Sequence, residues 1–587
     1  MRTAPLPLPL DDERPRPQNR PRWREVSSIV ALRSSLGFGL VLATTASACL
    51  GNIGGADKGE PPPGEVTAAV CATRAPNPGK NPMRRLTSFQ YTNTVRDLLG
   101  ASIDPGETFP TTTVAQGFRT YADSNIVSVN GAEGIQDAAM AVAAQATGDL
   151  TALLGCDANG AGGDACVDGF LTSLLPRAYR RPVSEDEIAG IRKVYSDALA
   201  DGFDATEAAG MVLEVVLQSP QFLYRVEISS ENGPAAGEIA PLGDYEAASR
   251  LSYLLWDSMP DDELFELAEK GQLRDRAAIE AQARRMVADP RARPVLGRFV
   301  EDWLQIQRLD SSTKDTAMFP EYGPDLDAAY RAEVGRFVDH AVWELDGTLT
   351  TLLTTPVAMV NGPLAGVYGV DGPATADEWA AVELDPTQRA GLLTTAGFLA
   401  SHANAMTTSP VARGAFVRNQ MLCQVLLPPA GLVIQLPPFD PDVSGRERLA
   451  QHRADPACSV CHDLMDPVGF GFENYDAIGQ WRTTEGNNLA IDASGELAEA
   501  GEVGGPFVGG VELANKLASS ELVRACVALQ TFRAAAGREE AAADECSVVQ
   551  TEERFLESGA DMRDLLVALT QTDAFLYRVI PDVSEEP

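Results

Sequence analysis

The chain has 587 residues with 47 basic and 83 acidic side chains, a net charge of −36 near neutral pH. That length exceeds what one small hydrophobic core organises, so several modules are expected. The acid excess repels nucleic acid and anionic lipid, and neither is an expected partner.

Residues 34–48, SSLGFGLVLATTASA, form an apolar run behind Arg33 that ends in small residues before Cys49. A charged start, an apolar middle and a small-residue end make a secretory signal, here taken as residues 1–48. The run is too short to span a bilayer as an ordinary helix. Its end, ASACLG, resembles a bacterial lipobox with Ala46 in place of the usual Leu. Cleavage before Cys49, diacylation of its thiol and a lipid-anchored place in the periplasm, the outer membrane or the cell surface are expected. The Pro- and Arg-rich residues ahead of the run are atypical of a signal and suggest a start nearer to it, so they are set aside from the fold. Without residues 1–48 the chain keeps 40 basic and 79 acidic residues, a net charge of −39.

Export also governs the cysteines. Beyond Cys49, Cys458 and Cys461, six remain, an even number suited to three disulfides in an oxidising compartment. Cys156 and Cys166 bracket a Gly-rich loop and are the first expected pair, with Cys526 and Cys546 the second. Cys71 and Cys423 are left over, as a third pair or as thiols.

Residues 49–82, rich in Gly, Pro and charge, read as a tether. Helical spacing begins in an N-terminal module over 83–150, where Thr87 and Gln90 form a capping box and Gly100 stops the helix. A second module over 156–230 repeats the box with Ser184 and Glu187. The central module, 240–372, is helix after helix, with Leu296, Phe299, Val300, Trp303 and Leu304 along one face. Trp256, Trp303 and Trp343 are expected in the core and not around a cofactor. The segment LQSPQFLYRV at 217–226 is echoed by TQTDAFLYRV at 570–579, and Arg225 and Arg578 are expected to meet a carboxylate or a carbonyl. A last module over 488–580 opens on an expected β-hairpin at 490–497. The predicted fold class is mainly α, built from several consecutive small helical bundles, with that hairpin and one coil-rich module.

The coil-rich module, 386–486, holds the stretch with most chemical content. Cys458, Cys461 and His462 form a Cys-x-x-Cys-His, which random placement would produce in about one such chain in a thousand. The spacing lets two thiols reach the two vinyl groups of one porphyrin while the next residue offers an imidazole to its iron. Cys458 and Cys461 then carry the thioethers of a c-type haem and His462 is the proximal ligand. Two other uses compete: the thiols as a structural or redox disulfide, or Cys458, Cys461 and His462 joined by His452 in a zinc site. Met465 sits too close to His462 to reach the opposite face, so the distal candidates are His402, Met406 and His452. His402 equally suits a hydrogen-bonded histidine that orders the coil. Arg413, Arg453 and Arg482 could meet propionates or form ordinary ion pairs. No nucleophile–base set or phosphate loop is convincing, so no catalytic residue is assigned.

The segments RRLTSFQYTNTVRDLLG, RAYRRPVSEDE, LQSPQFLYRVE, LSYLLWDSMPDDEL, GLLTTAGFLASHANAMTTSPVARGAFV, CSVCH and AFLYRV follow one another through the chain. In them it resembles the large multi-module lipoproteins of unknown function of planctomycete and myxobacterial type, over about residues 84–580 and five consecutive modules. The resemblance implies an exported, anchored, mostly helical protein with a cytochrome-like Cys-x-x-Cys-His. It also implies one c-type haem and a part in electron transfer or haem-based oxidation, with an unidentified redox partner or cell-envelope assembly. Whether the protein is an enzyme stays open. The rival reading is a non-enzymatic surface, scaffold or binding lipoprotein whose two motif cysteines form a disulfide or a zinc site.

Overall fold

The computed structural model describes residues 67–160, 162–227, 237–426, 440–453 and 456–580. The expected signal region, Cys49 and most of the tether lie outside the described residues, as does the Pro-rich stretch 427–439. The described residues form 24 α-helices and five two-stranded antiparallel sheets, a mainly α architecture.

Local signals set the helix ends. Both expected capping boxes form: Thr87 and Gln90 open the helix Ser88–Leu99, and Ser184 and Glu187 open Glu185–Ala200. Each box satisfies two backbone N–H groups that a helix start otherwise leaves without an acceptor. Gly100 closes the first of these helices at a φ of 126°, a value that side chains with a Cβ avoid.

The helices gather round two apolar cores. One is built by Ser88–Leu99, Val129–Ala146, Gly163–Tyr179, Glu185–Ala200 and Ala205–Gln218, around Tyr91, Val95, Leu171, Leu213 and Phe222. The other runs from Phe118 to Leu576 and joins the central, Cys-x-x-Cys-His and C-terminal segments in one continuous interior. Trp256 and Trp303 are buried in it, their indole N–H groups donating to the carbonyls of Met286 at 3.0 Å and Gln420 at 2.9 Å. Trp343 packs at its edge. A buried indole must spend its one donor on such a carbonyl, which is why these rings serve packing.

Three disulfides form, one closing a local loop and two joining distant parts of the chain. Cys156 pairs with Cys166, as expected from the short loop. The other two expected pairings are corrected: Cys423 joins Cys526, and Cys71 joins Cys546. Cys526 and Cys546 are close in sequence but sit on successive helices, Glu521–Ala536 and Glu545–Glu557. Cys526 faces the segment around Gln420, with Sγ 3.3 Å from its carbonyl oxygen, whereas the helix of Cys546 packs on Ala68–Cys71.

The FLYRV echo is one packing solution used twice. In each copy a one-turn helix, Pro220–Leu223 or Asp573–Leu576, runs straight into a short strand. The strand Tyr224–Arg225 pairs with Arg84–Arg85, and Tyr577–Val579 pairs with Ile239–Pro241. The expected hairpin at 490–497 is also corrected, because its halves go to different partners. Leu489–Ala490 pairs back with Thr484–Glu485, and Ser494–Leu497 pairs forward with Gly505–Val508.

Candidate functional site

The helix Pro456–Phe470 carries Cys458, Cys461 and His462. Pro456 stands at its first position, where a fixed φ suits the helix and no N–H is needed. It crosses the helix Pro410–Phe416 at very short range. A Cβ placed on Gly414 would lie 1.9 Å from the carbonyl oxygen of Met465, and one on Gly469 would lie 1.8 Å from that of Pro410. Only glycine at both points lets the two backbones meet, so the crossing fixes where the motif sits.

Both thiols are 8% exposed and stand outside the three disulfides. Cys461 and Met465 pack with Leu426 in a small apolar cluster, against Val411 and Ala415 of the crossing helix. His462 is buried, with Nδ1 3.0 Å from Oδ1 of the fully buried Asp466 one helical turn further on. A proton on Nδ1 donated to that carboxylate places the ligating lone pair of the imidazole on Nε2. Sequence reasoning did not give Asp466 this role, although its i, i+4 spacing from His462 was visible.

The loop after the helix is held by Arg413, whose side chain is completely buried. Nη1 donates to the carbonyls of Phe472 and Tyr475 at 2.8 and 2.9 Å, and Nη2 to those of Asp476 and Leu399 at 2.9 and 3.1 Å. Burial pushes this guanidinium down to about 10. With both Nη groups committed to backbone carbonyls and the side chain fully buried, Arg413 is a structural pin, which corrects its expected place as a propionate partner. Glu473 lies beside it, accepting from the Thr408 hydroxyl at 2.8 Å, and burial raises its carboxyl above the usual range. Arg482 donates from Nε to the Glu473 carbonyl at 3.1 Å and lines a cleft. The side chain of Arg453 lies outside the described residues.

That cleft, about 350 Å³, is bounded by Met406, Val411, Leu449, Arg448 and Arg482 among others. Val411 also packs on the Cys461–Met465 cluster, so cleft and motif adjoin through one side chain. Met406, a distal candidate, is 46% exposed at the cleft wall. His402 is placed differently. It is buried, with its ring 4.6 Å from that of Phe398 and 5.0 Å from that of Phe416. Nδ1 is 2.9 Å from the Ser401 hydroxyl and 3.2 Å from the Phe398 carbonyl, and Nε2 has no hydrogen-bond partner among the described residues. The helix Pro410–Phe416 thus offers Val411 and Ala415 to the thiol cluster and Phe416 to His402. His452, the third distal candidate and fourth member of the zinc set, has its side chain outside the described residues. Among the described residues no three His, Cys, Asp or Glu side chains are grouped to hold a metal ion. Nor, among them, is any helix long and apolar enough to cross a membrane.

Five family descriptions match the chain in succession, each of a protein of unknown function. They are DUF1587 over residues 84–148, DUF1595 over 166–227, DUF1592 over 242–370, DUF1588 over 389–485 and DUF1585 over 503–575. The DUF1588 description carries the short name PSCyt3, and its span contains the Cys-x-x-Cys-His helix. No curated protein and no solved structure matches the chain.

Proposed function

We propose, for a chain that belongs to the multi-module family of unknown function built from these five consecutive domains, that the 389–485 domain binds one c-type haem. One observation carries the reading. Of the eight described cysteines, six are bridged, and the two outside the bridges are the two that the motif needs. The donor set suits the group: two buried thiols one helical turn apart, and an imidazole oriented through Nδ1 by a buried carboxylate. The name PSCyt3 points the same way.

Cys458 and Cys461 would hold the porphyrin by thioether bonds and His462 would ligate its iron. Bound haem supplies one-electron redox chemistry. Asp466 keeps the proton on Nδ1 and strengthens the imidazole as a ligand. Met406, on the cleft wall, is the distal candidate best placed for access, and Arg448 and Arg482 on the same wall suit propionate carboxylates. Electron transfer with a cell-envelope partner is the function this assembly serves best. Export and attachment through Cys49 complete the reading, and the three disulfides support export, because such bonds persist in oxidising compartments.

The test is a reduced pyridine haemochrome spectrum with a haem-stained denaturing gel, on protein made in a host that matures c-type cytochromes. A covalent haem band is expected, lost in Cys458→Ala and Cys461→Ala. If no haem is attached under those conditions the reading fails. Thiol counting and zinc analysis then separate a motif disulfide from a zinc site in a non-enzymatic surface lipoprotein.

A further inference from the structure

The strands Arg84–Arg85 and Tyr224–Arg225 pair in a register that sets Arg84 directly opposite Arg225. Like charges on facing positions of a strand pair repel. Both arginines line a cavity of about 120 Å³, far in sequence from the Cys-x-x-Cys-His, and Arg250 and Arg538 line it too.

The charges around this cavity do not balance. Arg250 grips Glu227 with two bonds of 2.6 Å and also donates to the carbonyls of Ala574 and Phe575. Arg538 is taken by Asp544, and the one other acid on the wall, Asp257, is taken by Arg298 at 2.7 Å. The Arg84 side chain has a single acceptor among the described residues, the Ala535 carbonyl at 2.6 Å. The Arg225 side chain has no hydrogen bond or ion pair among the described residues. Its guanidinium lies over the Tyr253 ring at 5.6 Å, and its Nε is buried without a partner. Its echo, Arg578, by contrast pairs with Glu246 at 2.5 Å. Two guanidinium groups therefore share the cavity with no hydrogen-bonded carboxylate of their own, Glu227 acting on both only through space. Burial and then Arg225 push Arg84 well below its usual value, and burial pushes Arg225 down to about 10. The remaining wall is mostly apolar, including Leu254, Leu296, Phe299, Phe532 and Leu569.

We propose that this cavity binds a small organic monocarboxylate, its carboxylate held by Arg225 and Arg84 and its apolar body against Leu254, Phe299 and Phe532. A guanidinium fork matches a carboxylate by two parallel bonds, which answers the donors that Arg225 leaves unused. Glu227 and Asp257 on the same wall disfavour a dianion, and the apolar wall gives a bare inorganic anion little to gain. Cavities of roughly 150 Å³ accept a benzene-sized body, so this one suits a short chain. The site is independent of the haem reading.

The test is calorimetric titration of the full mature chain with pentanoate at low ionic strength, with pentanamide as the neutral analogue and inorganic phosphate as the bare anion. Pentanoate is expected to bind at one site, at least roughly tenfold more tightly than either comparison compound. In Arg225→Met that affinity falls at least about tenfold, while the ligand-free melting temperature rises because the repulsion with Arg84 is gone. No pentanoate binding, equal binding of pentanamide or phosphate, or unchanged affinity in Arg225→Met would each overturn the proposal. If Arg225→Met does not fold, Arg84→Met and the comparison of the three ligands on the unaltered protein decide it.

Discussion

His462 and His402 are both buried in the same family domain, and each has Nδ1 against an acceptor within one helical turn. Their surroundings carry opposite charge. His462 faces the carboxylate of Asp466. His402 caps the helix Ala396–Ser401, on whose last carbonyls three cations converge: Arg413 on Leu399 at 3.1 Å, Lys314 on Ala400 at 2.7 Å and Arg308 on Ser401 at 3.3 Å. Burial first, and then Arg308, Arg413 and Lys314, hold the His402 imidazole well below its ordinary value, so it stays neutral. Burial alone does not make a histidine a ligand. A carboxylate at Nδ1 orients an imidazole and fixes its tautomer, whereas burial among basic side chains keeps it uncharged.

The sharpest way to break this contrast is at the crossing that positions His462. Gly469→Ala drives a Cβ into the Pro410 carbonyl and is expected to cost about 3 kcal/mol in denaturant unfolding. A loss near zero would mean that the two helices do not meet as described. A smaller effect follows at the carboxylate. Asp466→Leu leaves the Nδ1 proton of His462 without its acceptor and should cost about 2 kcal/mol, while Asp466→Asn keeps an acceptor and should cost less than half of that. Equal losses in the two variants would deny Asp466 its orienting role.

The smallest effect concerns pH. The folded state holds His402 below its unfolded value near 6.5, so the native protein binds fewer protons there than the unfolded chain. The His402 contribution is therefore full above about pH 6.5 and is lost as the pH falls below it, by at most about 1.4 kcal/mol per pH unit. In His402→Phe that part of the acid-side slope disappears. Stability curves of the two proteins measured between neutral and mildly acidic pH check this, and parallel curves would show that His402 accepts a proton in the fold.

What the amino-acid order revealed was mostly what is local. The capping boxes at Thr87 and Ser184 need only residues three apart, and both form. The spacing of Cys458, Cys461 and His462 was legible because it is the one that the proposed haem attachment would require. The disulfide partner of Cys526 was not, because it depends on which neighbour a helix face meets, and that is settled by packing against the segment around Gln420. Arg413 carried no local sign that its donors would go to four carbonyls from two separate segments. Arg225 and Arg578 share an identical pentapeptide, yet only Arg578 meets a carboxylate, because the strands they join differ. The 490–497 segment has the composition of a hairpin, but each half finds a better edge elsewhere.

The bridge between Cys71 and Cys546 spans 475 residues of chain. Pulled from the first described residues toward the last, the protein would carry the load across that sulfur link and on to the segment that follows Cys546. Everything from Cys71 to Cys546 would hang as an unloaded loop, sheltered from tension applied at the N-terminal end. A molecule tethered to a surface by that end could then be dragged or sheared without unravelling the domain that holds His462. Reducing the bridges would remove the shelter and let roughly 1,600 Å of extended chain be drawn out, at about 3.4 Å per residue. Single-molecule extension of the oxidised and reduced protein would read this difference as a change in contour length.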